Sequence, residues 1–441
     1  MILEPLILTG IVLAFWHHSP PVRDNWVGLL WLAIPVFRLR LLAHRRLWTY
    51  TVLIDSFLLF ILLSVFNFQN APLSRANYPV LICRPLLGIW LYIYLSDHAR
   101  QYGMKLLIAA SISIGLLIGV LALTATQWEV GSKYAIFETI TNALPRINYR
   151  DIVPDMMLSF NPNEIAGAIA WFCPLMAGLM LYRPADEKPK KWQTHGIRVS
   201  AGVGFIVLFS ALLSGQSRFA LAGVLVSLFF IVLLLVDRPR LKYSLMTVLG
   251  VIAVIQVILL LNLLPDTQSS AIDAAVSQDT ASTGLSGRDS SSLGNRIDIW
   301  ESGLKMMLNN PATGTGMSMY RTAAFDPRYQ IPSYAARNTT PPHAHNEWIQ
   351  IGADMGVPGV LLLCVWYGGA SWFLWRGWHN GDKAHRVLVV SIGTGLLAHG
   401  IYALGDAITL WDRYSFLFWF MLGLAAAQYT ALQSRQPEQV K

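Results

Sequence analysis

The sequence predicts an all-α, polytopic membrane protein with about twelve transmembrane helices. Three observations carry this. Of 441 residues, 54% are hydrophobic and only 13% charged, with a mean hydropathy of +0.46, which leaves too little polar surface for a soluble arrangement. Twelve stretches reach or approach the roughly 20 apolar residues that cross a hydrocarbon core. Between them, Lys and Arg fall mostly in alternate connections. About 240 residues then lie in lipid and about 200 outside it, too thinly spread for a large soluble domain at either end.

The spans are read at 2–16, 24–37, 49–66, 78–95, 106–125, 159–182, 199–214, 219–236, 243–264, 357–375, 387–404 and 414–432. The first lacks a basic start and a small-residue cleavage site, so it is expected as an uncleaved span. Cys83, Cys173 and Cys364 each sit inside an apolar stretch, far apart and outside metal-ligand spacing. With a cytoplasmic N-terminus, five short inner connections hold seventeen basic residues and the short outer ones only Arg23, Arg75, Arg218 and Arg413. The positive-inside bias therefore predicts both termini in the cytoplasm, and the net charge of +8 reads as orientation, not as a nucleic-acid surface. No internal repeat stands out.

The chain divides into spans one to nine (1–264), an outer segment (265–356), and spans ten to twelve with a short inner tail (357–441). A second outer loop, 126–158, carries Lys133, Arg146, Arg150, Asp151 and Asp155. In the large outer segment, Asp266 to Gly294 is rich in Ser, Asp, Thr and Gly and reads as a mobile strap. From Asn295 to Asn309, Ile297, Trp300, Leu304 and Met307 recur at helical spacing, and Glu301 and Lys305 form an i,i+4 pair. An amphipathic helix is predicted there, on the outer surface or across the bundle mouth, ended by Asn310-Pro311. Ala312 to Thr340 reads as an irregular lid. A short helix is expected from about His343 to Asp354, stopping at Gly356 and Pro358.

The richest string is His343-Ala344-His345-Asn346-Glu347-Trp348-Ile349-Gln350. An imidazole takes a proton from a sugar hydroxyl near neutral pH, and neighbouring amides orient it or the acceptor. On a helix His345 would share a face with Trp348 and Ile349, and Asn346 would stack on Gln350. The plainer reading is an interfacial histidine without a role. A metal on His343-x-His345 needs further ligands, and only Glu347 and Asp354 lie near in sequence, so no metal is expected.

Arginine is the second element, since a guanidinium chelates phosphate bidentately. Arg218 occupies a tight outer turn after Ser214-Gly215-Gln216-Ser217, Arg296 opens the amphipathic helix, and Arg288 precedes it. Arg84 lies inside the fourth span, where an intramembrane charge is a functional hypothesis and a snorkelling side chain its plainer alternative. Phe160-Asn161-Pro162-Asn163-Glu164 offers polar ligands, Asn163 among them, or a simple helix cap.

His345-Asn346, nine residues, then Gly356-x-x-Gly359 resembles the signature shared by O-antigen ligases and related bacterial O-linked oligosaccharyltransferases. Ser217-Arg218, Asn161-Pro162-Asn163-Glu164, Asn295-Arg296 to Trp300, Asn310-Pro311 and Gly314-x-Gly316 resemble the wider O-antigen ligase and polymerase superfamily. The resemblance covers roughly residues 155–430. It implies a GT-C type glycosyltransferase in the bacterial inner membrane, working on the periplasmic face. Polysaccharide would pass from undecaprenyl diphosphate to the lipid A-core acceptor with inversion, without metal, cofactor or nucleotide. The resemblance makes His345 the base and Arg218 and Arg296 the diphosphate ligands. Arg84 and Arg288 join them as candidates from their own chemistry, with His343, Asn346, Gln350 and Asn163 as polar support. Asp354 stands where many relatives have Glu, which puts a catalytic role there in doubt.

Two neighbouring functions compete. An O-antigen polymerase would use the lipid-linked donor twice, and a protein-glycosylating oligosaccharyltransferase would usually carry a larger C-terminal part. A transporter, from another class, would show inverted repeats and mid-membrane ionisable groups; most polar candidates here lie at the outer edge.

Overall fold

The computed structural model describes residues 53, 56, 59–60, 78–126, 161–183, 191–260, 293–335, 338–408, 410 and 414–435. Spans 2–16 and 24–37, most of 49–66, the loop 127–158 and the strap up to 292, Arg288 included, lie outside these residues.

Every long element described is a helix: α1 (Tyr78–Tyr102), α2 (Lys105–Ala125), α3 (Pro162–Leu179), α4 (Lys191–Gly215), α5 (Arg218–Leu235), α6 (Pro239–Leu260), α7 (Leu293–Asn309), α8 (Tyr320–Ala323), α9 (Pro332–Ala335), α10 (Glu347–Asn380), α11 (Lys383–Tyr402) and α12 (Ser415–Arg435). The expected spans from 78–95 onward each fall on one of them. Among the described residues six helices are long and apolar enough to cross a membrane, namely α2, α4 from Thr194, α5, α10, α11 and α12 to Ser434. Gly103 and Gln216, both with positive φ, sit in the short turns that send the chain back between α1 and α2 and between α4 and α5.

The spanning stretch of α12 is buried throughout, because α1 and α10 pack along it. Its Trp419 meets Trp366 of α10 edge-on at 5.1 Å and Phe60 at 6.4 Å. A helix so enclosed must satisfy its polar side chains internally. Gln428 donates to the Phe373 carbonyl at 2.8 Å and accepts at Oε1 from His385 at 2.7 Å, and Thr430 donates to the Ser96 carbonyl at 3.0 Å. A second layer joins α11 to α3 and α5. At one end of the bundle, Lys383 pairs with Asp237 at 2.5 Å and Arg198 donates to the Met180 carbonyl at 2.7 Å. At the other end lie the starts of α3, α5, α10 and α12 and the end of α11.

In the outer segment α7 forms as expected and carries the Glu301–Lys305 pair at 2.7 Å; the face it turns into the protein is Ile299, Ser302, Gly303 and Met306, while Ile297, Leu304 and Leu308 point outward. The small Gly303 decides this: it lets α7 approach Tyr320 and Ile349 more closely than a larger side chain would. The stretch expected as an irregular lid is ordered. Tyr320, Ala324, Tyr329, Ile331 and Tyr334 pack with Ile299 and Met306 into a second apolar core, and Ser302 and Tyr320 lock it through the Tyr329 and Ile299 carbonyls at 2.6 and 2.9 Å.

The short helix after Pro342 starts at Glu347, four residues later than expected, and breaks at Gly356 as expected, at a kink where φ 68° and ψ −164° separate it from the long apolar part of α10. The turn after α7 docks on this kink. Thr315 and Gly316 donate to the Ala353 and Asp354 carbonyls at 2.7 and 3.0 Å, and Val357 donates to the Pro311 carbonyl at 2.8 Å. Gly314 faces the Asp354–Met355 backbone and Gly356 the Asn310–Pro311 backbone there, and a Cβ on Gly356 would run into the Pro311 carbonyl. Gly356→Ala combines a left-handed penalty of about 1–2 kcal/mol with that clash. The variant should therefore unfold at a clearly lower temperature in detergent; a wild-type midpoint would show that the junction is not held as described.

Candidate active site

The run into α10 and the turn after α11 are stitched together residue by residue. Glu347 N–H donates to the Ala403 carbonyl at 2.9 Å, and Asn346 Nδ2 to the Leu404 carbonyl at 3.1 Å. An Arg296 guanidinium nitrogen donates to the Gly405 carbonyl. His345 Nδ1 meets Asp406 Oδ1 at 3.1 Å. Four consecutive positions, 403 to 406, thus receive donors from two other segments.

His345 is not on the helix, so the expected sharing of a face with Trp348 and Ile349 does not occur. Asn346 is the N-cap instead, its Oδ1 accepting from Ile349 N–H at 3.1 Å; an Asn at this position satisfies a helix-end donor and stops the helix from extending toward His345. His345 itself takes φ 48°, a left-handed conformation that costs a non-glycine residue about 1–3 kcal/mol. Its neighbours hold it there. Ala344 N–H donates to Gln350 Oε1 at 2.7 Å, Trp300 Nε1 donates to the His345 carbonyl at 3.3 Å, and His345 N–H donates to His343 Nδ1 at 3.2 Å. Gln350 is thus a strut: its Nε2 donates onward to Asp354 Oδ2 at 2.6 Å.

Asp354, fully buried, also accepts from Tyr320 N–H at 3.1 Å. Its short carboxylate is spent on holding the turn after α7. Glu347 is spent as well: it is 1% exposed and bonded at 3.0 Å to the equally buried His399 of α11, whose ring stacks on Trp171 at 3.6 Å. Removing one partner leaves a buried polar group unsatisfied at a cost of about 1–3 kcal/mol. The two carboxylates nearest to His345 in sequence therefore do not face it.

The carboxylate that does is Asp406, absent from the sequence reading. It lies in the turn after α11, 5% exposed, and also accepts from Ala407 N–H at 2.9 Å. Burial would raise its pKa, but the hydrogen bond from His345 and the electrostatic influence of His345, His343 and Arg296 outweigh that and hold the carboxyl well below its usual range. An ionised Asp406 only accepts, so the His345 proton sits on Nδ1 and the lone pair on Nε2. His343 stands beside it, rings 4.2 Å apart, with its Nε2 3.8 Å from Asp406 Oδ1. The sequence signal was a carboxylate directly after Gly405 in a short outer connection.

Arg296 lies in the first turn of α7, its Cζ 5.5 Å above the ring of Phe219, the residue after Arg218. Its Nε is buried with no hydrogen-bond partner among the described residues. Arg218 is the first residue of α5, behind the Ser217 N-cap. Arg296 thus reaches the turn that carries Asp406, while Arg218 stands next to Phe219 in sequence at the start of α5. Arg84 is buried at 6% exposure in α1, which packs along α12. Asn161 is a cap, as its plainer reading expected, accepting from Asn163 N–H at 2.9 Å, and the Asn163 carbonyl receives the Tyr402 hydroxyl at 3.1 Å.

Residues 203–364 match the family model described as O-Antigen ligase. That range contains Arg218, Arg296 and the whole His343–Gln350 string and ends before Asp406. No match is found among curated proteins.

The Gln350 strut makes a direct prediction. Gln350→Leu strands the Ala344 N–H and one Asp354 oxygen in a buried place, at about 1–3 kcal/mol for each unsatisfied group. The thermal midpoint should fall measurably; an unchanged midpoint would mean the strut carries no load.

Proposed function

We propose that this chain, whose residues 203–364 match the family model described as O-Antigen ligase, is a glycosyltransferase that moves polysaccharide from undecaprenyl diphosphate to the lipid A-core at the periplasmic face of the inner membrane. The observation that carries this reading is the hydrogen bond between His345 Nδ1 and the buried Asp406 carboxylate at 3.1 Å, with Arg296 beside it. An imidazole so held offers Nε2 as a base.

In this mechanism the acceptor sugar hydroxyl attacks the anomeric carbon of the donor. The new glycosidic bond forms as the bond to the diphosphate oxygen breaks, with inversion, and the hydroxyl proton passes to His345 Nε2. The leaving group is already an anionic diphosphate, so its growing charge is met by Arg296 and Arg218 without a Lewis acid. The free Arg296 Nε supports that role. Asp406 holds the tautomer and stabilises the imidazolium that forms. Arg84 and Arg288 stay as further diphosphate candidates, and Asn163, His343, Asn346 and Gln350 as polar support. We take the remaining spans to complete a twelve-helix GT-C type bundle with both termini in the cytoplasm.

His345→Ala should lower transfer by about 100- to 10,000-fold, the usual span for loss of a general base, in a protein that still purifies as a single species. Transfer near the wild-type rate would remove His345 from the base role. Arg296→Lys keeps the charge and loses the fork, so the KM for the lipid-linked donor should rise more than that for the acceptor. Equal changes would count against a diphosphate contact. Running both assays with a defined donor and separate lipid A-core, lipid-linked and peptide acceptors distinguishes a ligase from a polymerase and a protein glycosylase.

A further inference from the structure

His343, His345 and Asp406 each offer one ligand atom, and these three atoms lie within 4.8 Å of one another. From that geometry we propose that they form a binding site for a divalent zinc ion. A tetrahedral zinc with bonds of about 2.0–2.2 Å spaces its ligand atoms about 3.3 Å apart. Asp406 Oδ1 stands 3.1 Å from His345 Nδ1 and 3.8 Å from His343 Nε2, so two of the three edges already bracket that value. Two imidazoles and one carboxylate are a donor set that suits zinc and leaves a fourth position for water. Both histidines are partly exposed, with side chains 26% and 19% accessible, so an ion has a way in.

Each ring changes tautomer when the ion binds. Zinc on His345 Nδ1 takes the position of the proton that Asp406 now accepts, and the neutral ring carries its one proton on Nε2. Zinc on His343 Nε2 likewise moves that ring's proton to Nδ1, so the 3.2 Å contact from His345 N–H is given up. Arg296, bonded to the Gly405 carbonyl next door, repels the ion and sets a ceiling on affinity. A consequence follows that rests on the proposed function: a His345 protonated at Nε2 has no lone pair for the acceptor hydroxyl, so zinc inhibits transfer.

The test is calorimetric titration of the purified full-length protein in detergent with Zn²⁺ alone, without sugar substrates. One ion per chain is expected. His343→Gln and Asp406→Asn should each weaken it by at least the roughly 10- to 100-fold that loss of even an outer partner of a zinc ligand costs, and Arg296→Gln should tighten it. Because Asp406→Asn also removes a buried contact, His343→Gln is the deciding variant, checked by its thermal midpoint. Wild-type zinc affinity in His343→Gln overturns the site. Zinc binding is read without turnover, so it stands or falls separately from the ligase reading; in the transfer assay, inhibition that tracks occupancy and reverses with chelator supports the tautomer argument, and full activity at saturating zinc overturns it.

Discussion

The turn from Ala403 to Asp406 is the constraint on which the site depends. Three of its groups are backbone carbonyls at the end of a membrane helix, where the last turn has no helical donors left for them. Each finds a donor from elsewhere: the Glu347 amide, the Asn346 side chain and Arg296. The orphan acceptors of α11 thereby become the template against which the start of α10 and the first turn of α7 are set. The fourth position, Asp406, continues the same register and so meets His345. Satisfying a helix end and orienting the His345 ring are one arrangement here.

Behind that turn lies a less polar layer. The Glu347–His399 pair, each 1% exposed, ties the first residue of α10 to the last turn of α11, and the stacking of His399 on Trp171 extends the tie to α3. A buried polar contact of this kind adds little net stability, because desolvation offsets the attraction. Its effect is positional: any other packing of these three helices would leave buried polar groups unsatisfied. The aromatic contacts of α10 with α12, centred on Trp366 and Trp419, fix the same helix further along, together with the Gln428 bond to the Phe373 carbonyl.

Much of this was legible in the sequence, and the rest was not for identifiable reasons. Long apolar runs mark spans whatever surrounds them, so the helices from α1 onward fall where hydropathy put them. α7 was legible as a helix and illegible as a face. The spacing of Ile297, Trp300, Leu304 and Met307 marks an amphipathic helix but not which face meets the protein, and beside a membrane the close approach allowed by Gly303 decides that. The His343–Gln350 string and the arginines stood out by chemistry. Asp406 did not, because a single acidic residue 61 positions away gains its meaning only once α11 returns to the same end of the bundle. Glu347 and Asp354, adjacent in sequence, were the natural partners to suspect, yet each is turned toward a different neighbour.

The junction at Gly356 has a mechanical side. Between Glu347 and Met355 the helix is a short rod, hydrogen-bonded at its far end to the turn that closes α7, while α7 carries Arg296 at its own opposite end. The rod and α7 therefore make a hairpin, with His345 at one tip and Arg296 at the other. Their separation is set when the chain folds, as the opening of a caliper is set by its pivot.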